Sequence, residues 1–85
     1  MGSRKTFTLN ILNQNGVVLY GEYEALLVPT PKGETAIMTF HTPAIMLLSP
    51  GAIKVHENHG FKEVTKVEAG LVYVGENEVT VLIHK

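Results

Sequence analysis

The sequence predicts an all-β fold, a flattened antiparallel sandwich or barrel of about 8–10 short strands. Three observations lead there. Apolar and polar residues alternate in several short runs, and turn-forming residues recur roughly every 6 to 12 positions. In addition, no amphipathic 3.6-residue repeat is long enough for a stable helix.

Taken in order, Phe7, Leu9 and Ile11 alternate with Thr6, Thr8 and Asn10, which sets the apolar side chains on one face of a strand. Asn13-Gln14-Asn15-Gly16 breaks the pattern with residues that tolerate turn dihedrals, and residues 17–20 resume it, so a hairpin is expected. Residues 25–28 form a short apolar strand stopped by Pro29-Thr30-Pro31-Lys32-Gly33, read as a loop because its prolines cannot donate to a ladder and glycine permits positive φ. Residues 34–38 form the next strand.

The uninterrupted run at residues 43–48 is expected to be a strand buried on both faces; a helix there would be too short to persist alone. Ser49-Pro50-Gly51 supplies a tight turn after it. Ile53 and Val55 alternate with Lys54 and His56, and Glu57-Asn58-His59-Gly60 reads as a hairpin loop. On the return strand Phe61, Val64 and Val67 are spaced by three, which predicts a bulge or a change of face near Glu63. Residues 71–74, a loop at 75–78 and residues 79–83 make the last hairpin, rich in β-branched side chains.

At 85 residues the chain is expected to form one domain over residues 6–85, preceded by a tail at 1–5 whose Met1-Gly2-Ser3 start is common in expression leaders. Gly2 and Thr6 formally fit a myristoylation pattern, but so short a motif matches by chance often. The 45% apolar and 18% charged content is that of a globular fold. Seven basic residues against eight acidic ones, with no basic stripe, argue against nucleic acid as a partner. The absence of cysteine removes disulfides, thiol nucleophiles and sulfur-ligated zinc. The longest apolar run, residues 44–48, falls far short of the ~20 residues of a membrane-spanning helix, so direct membrane insertion is not expected.

Sites for chemistry are scarce. His56 and His59, with Glu57 or Glu63, could hold a metal from one hairpin, but two imidazoles without a fixed third ligand make a weak site. No G-x-S-x-G elbow, phosphate-binding glycine loop or conspicuous acid–base carboxylate pair is present, and Gly33 and Gly51 are read as turn glycines. No enzyme activity, cofactor or metal is expected. His41, before Pro43, reads by itself as a capping or packing histidine.

The stretch Gly33-Glu34-Thr35-Ala36-Ile37-Met38-Thr39-Phe40-His41-Thr42-Pro43, continued by Ser49-Pro50-Gly51, resembles the pattern G-E-x-G-I-x-P-G-H-A-P and K-P-G of the epsilon subunits of F-type ATP synthases. Phe7-Thr8-Leu9-Asn10-Ile11-Leu12 is similar to that family's first strand, Ala69-Gly70-Leu71-Val72-Tyr73-Val74 to its G-G-F-L-E-V, and Asn77-Glu78-Val79-Thr80-Val81-Leu82 to its G-N-x-V-T-V-L. The likeness runs from about Thr6 to Ile83, in order and at matching separations.

The resemblance implies a non-catalytic sandwich domain at the foot of the central stalk. It would be held against the gamma subunit and the membrane rotor ring, peripheral to the inner, cytoplasmic face of an energy-coupling membrane. It further implies Glu34 as a ring contact and His41 as a contact to gamma. Thr39-Phe40 stand where the family has Pro-Gly, so the turn there is expected to be reshaped, and Phe40 is either an anchor for a partner or a core residue. The family usually continues into a C-terminal helical hairpin that restrains ATP hydrolysis and in some members binds ATP; if Lys85 is the native end, neither property is expected. The rival expectation is a stand-alone ligand- or metal-binding sandwich with no motor role, since fold alone does not settle function.

Overall fold

The computed structural model describes residues 6–39, 42–57 and 60–84. Its nine strands are β1 (Phe7–Asn13), β2 (Gly16–Tyr23), β3 (Ala25–Thr30), β4 (Gly33–Met38), β5 (Ala44–Leu48), β6 (Gly51–Glu57), β7 (Gly60–Val67), β8 (Ala69–Val74) and β9 (Glu78–His84). They form a five-stranded sheet in the order β2-β1-β9-β8-β5 and a four-stranded sheet in the order β4-β3-β6-β7.

The turns follow local chemistry. After β1 the Asn13 carboxamide accepts from the Asn15 backbone N–H at 2.7 Å, and Gly16 takes φ +124° to start the return. Between β3 and β4 the Thr30 hydroxyl accepts from the Lys32 N–H at 3.2 Å and donates to the Gly33 carbonyl at 2.9 Å, while Gly33 sits at φ +110°. Pro29 and Thr30 belong to β3 rather than to a loop. Pro29 pairs with Glu34 on the β4 side, whereas the observed register toward β6 covers only Leu26 and Leu27, so the missing N–H costs no ladder bond there.

The expected alternation builds the core. Leu9, Ile11, Val72, Val79, Val81 and Ile83 from the five-stranded sheet meet Leu26, Val28, Ile37, Ile53 and Val55 from the other. Leu19, Tyr23, Met46 and Val64 pack around them. The irregularity expected near Glu63 is a bulge: Ile53 pairs with Thr65 and Lys54 with Glu63, leaving Val64 without an opposite residue and turned onto the core.

Two features differ from the sequence expectation. The sandwich is not wholly antiparallel, because β1 and β9 lie side by side in parallel, Leu9 opposite Val79 and Ile11 opposite Val81. Nor is β5 buried on both faces: Leu48 is buried, but Ile45 and Leu47 are 68% and 63% exposed. The reason is position, since β5 is an edge strand whose sheet is covered by the second sheet on one face only.

The layers are tied at defined points. The Ser49 N–H donates to the Pro29 carbonyl at 2.9 Å, linking the end of β5 to β3, and a Cβ on Gly51 would fall 2.7 Å from the Pro29 ring. Within the five-stranded sheet, a Cβ on Gly70 would collide with the Leu82 carbonyl, so β8 and β9 approach as they do only because residue 70 has no side chain.

Candidate functional site

Each sheet buries one face, and the two outer faces differ. On the five-stranded sheet, directly paired residues share a face, so the register builds continuous rows across it. One row runs Leu47, Leu71, Leu82, Leu12, Val17, almost entirely branched aliphatic side chains. The next runs Ile45, Tyr73, Thr80, Asn10, Tyr20, and beyond it Glu78, Thr8 and Glu22 form an acidic end. Ile45, Leu47, Tyr20 and Val17 are strongly exposed, and Tyr73 and Leu82 are exposed along the middle. Within the second row the Asn10 carboxamide oxygen is sealed from solvent without a hydrogen-bond partner, a cost of about 1–3 kcal/mol left standing in the surface.

The outer face of the four-stranded sheet carries charged and polar side-chain contacts. Lys54 Nζ lies 3.3 Å from Glu34 Oε2, spanning β6 to β4, and His56 Nδ1 lies 3.4 Å from Glu24 Oε1 at the crossover between the sheets. The Phe61 ring stands edge-on to His56 with centroids 5.2 Å apart. Met38 and Phe61 are exposed here too, but each sits on an edge strand of the sheet.

Glu34 is exposed directly after the β3–β4 turn, whose hydroxyl network, including Thr30 Oγ1 to Thr35 Oγ1 at 3.0 Å, fixes the backbone that presents it. Phe40 and His41 lie outside the described residues, as does His59 of the suggested metal pair. Among the described residues no group of three or more His, Cys, Asp or Glu side chains is arranged to hold a metal ion, and His56 is engaged by Glu24 and Phe61. No helix among them is long and apolar enough to cross a membrane.

Sequence reasoning missed the aliphatic row. The signal was present in residues 44–48, where an apolar run fits an edge strand with a partner-facing side as well as it fits a buried strand.

Residues 6–85 match the family described as ATP synthase, Delta/Epsilon chain, beta-sandwich domain. The ATP synthase epsilon chain of Psychrobacter arcticus is 36% identical over 77 residues, covering 91% of this chain and 56% of that protein. The epsilon chain of a Nitratiruptor species is 31% identical over 78 residues, covering 92% and 60%. The chain thus spans little more than half the length of these curated relatives. Among solved structures, a chain of the Euglena gracilis mitochondrial ATP synthase OSCP/F1/c-ring assembly superposes with TM-score 0.81 at 21% identity, covering 99% of this chain and 54% of that one. A chain of the Tetrahymena thermophila central stalk/c-ring assembly gives 0.75 at 12%, covering 99% and 67%. The two superpositions speak for the fold, and the family match over nearly the whole sequence speaks for descent: this chain belongs to the delta/epsilon-chain β-sandwich family of ATP synthases.

Proposed function

We propose that this domain is a non-catalytic central-stalk module of an F-type ATP synthase, coupling the gamma subunit to the membrane rotor ring through static interfaces. It would work at the inner, cytoplasmic face of an energy-coupling membrane, attached through the complex rather than by insertion. The working domain runs over residues 6–85, with residues 1–5 as a tail.

The observation that carries this is the exposed aliphatic face of the five-stranded sheet. A small sandwich has no folding need for Ile45, Leu47, Leu82 and Val17 on its outside, and contiguous exposed apolar side chains mark surfaces that are covered in an assembly. We assign that face to gamma and the Glu34 turn to the ring, with Phe40 and His41 as further contacts to gamma. Support comes from the relatives, which are named as epsilon chains, and from the solved neighbours, which come from assemblies titled F1/c-ring and central stalk/c-ring.

The test is calorimetry with the cognate gamma subunit. Submicromolar binding is expected, and no heat at ~100 μM, about 5.5 kcal/mol, would end the assignment.

A further inference from the structure

Two sheets leave four edges, and three of them carry devices that discourage pairing with another strand. The β7 edge has Lys62, Glu63, Lys66 and the bulge at Val64. The β2 edge has a break in register opposite Ile11 and Leu12 and carries Glu22, and β4 carries Glu34 in its ion pair with Lys54. The β5 edge has none of these: Ala44–Leu48 holds no charge, no proline and no bulge, and its register with β8 is unbroken.

Beside that edge lies a groove. Thr30 at the end of β3, Pro31 and Lys32 of the turn and Thr35 of β4 form one wall, and Ile45, Met46 and Leu47 of β5 form the other. An apolar side-chain surface could cover the carbon atoms of this groove but not the row of backbone donors and acceptors along β5. An extended backbone covers both.

We infer that β5 is completed by strand addition: an extended, mainly apolar segment of the gamma subunit pairs along residues 44–48, with an acidic side chain set toward Lys32. This rests on the central-stalk reading above and names how gamma engages. A second copy of this chain, pairing β5 with β5, is the alternative occupant.

Hydrogen exchange at single-amide resolution, on the domain alone and saturated with cognate gamma, tests it. Alternate amides of residues 44–48, those facing away from β8, are expected to slow by roughly 100-fold in the complex. Cross-strand Hα contacts between β5 and gamma should accompany the slowing. Lys32→Glu should weaken binding by about tenfold with the melting temperature of the free domain unchanged. A complex that forms while every β5 amide exchanges at its free rate overturns strand addition and leaves the docking face intact. Protection that appears in the domain alone as its concentration rises overturns it in favour of self-pairing. Absence of any complex overturns the functional reading, and this inference with it.

Discussion

The two outer faces of this sandwich are built from the same alternating chain, yet one is aliphatic and the other charged and polar. On the five-stranded sheet, Leu47, Leu71, Leu82, Leu12 and Val17 line up across every strand. On the four-stranded sheet, Lys54 with Glu34 and His56 with Glu24 occupy the corresponding surface. Magnitudes separate their roles. Removing an exposed Ile or Leu side chain from water is worth up to about 1.5–3 kcal/mol, whereas an exposed ion pair contributes about 0–1 kcal/mol and is screened by salt. The aliphatic face can therefore supply affinity that the charged face cannot. The inner faces already hold the fold together, so the difference outside reflects what each side meets.

The largest test asks whether both sheets share one core. Leu9→Ala and Ile53→Ala, one from each sheet and both fully buried, should each cost about 2–5 kcal/mol in urea unfolding. A large loss from one and little from the other would mean that the layers do not unfold as a unit, and the comparison of their outer faces would lose its common frame.

Gly70→Ala comes next. Its Cβ would meet the Leu82 carbonyl and lie 3.1 Å from the Ile83 Cα, backbone atoms that cannot turn aside as a side chain would. We expect a loss of about 1–3 kcal/mol, together with weaker gamma binding, because spreading β8 from β9 breaks the leucine row. Unchanged binding in a folded variant would show that the row need not be continuous.

Ile45→Ser combined with Leu47→Ser separates folding from docking directly. Both side chains are exposed, so each change should move stability by less than about 0.5 kcal/mol, while gamma binding falls at least about tenfold, or 1.4 kcal/mol. Equal affinity in calorimetry would remove the aliphatic face from the interface.

The smallest effect on stability belongs to Glu34→Lys. It replaces an attraction to Lys54 with a repulsion at an exposed site, expected to cost less than about 0.5 kcal/mol and less again at high salt. Assembly with the rotor ring should nevertheless weaken. If melting and assembly fall together, Glu34 is a structural residue of the charged face and not a contact.

Much of the architecture was legible in the chain. Phe7, Leu9 and Ile11, or Ile53 and Val55, announce a strand and its buried side because a period of two is the signature of a half-covered sheet. The bulge at Val64 was foreshadowed by the three-residue spacing of Phe61, Val64 and Val67. The parallel pairing of β1 with β9 was not legible, since the two strands stand at opposite ends of the sequence and nothing local couples them. The outward side of β5 escaped for a related reason: an all-apolar run carries no alternation to say which side faces away. Of the candidate site residues, Glu34 and His41 came from resemblance alone, whereas the leucine row exists only as a register among β5, β8, β9 and β1.

The sequence by itself determined where the chain turns and which side chains share a face, because backbone preferences and the two-residue repeat are properties of neighbouring residues. The tertiary structure alone decided which strands adjoin and which face each sheet keeps in the open. Those depend on the layer that arrives to cover one side, and covering one face of the five-stranded sheet is what leaves its aliphatic row outside.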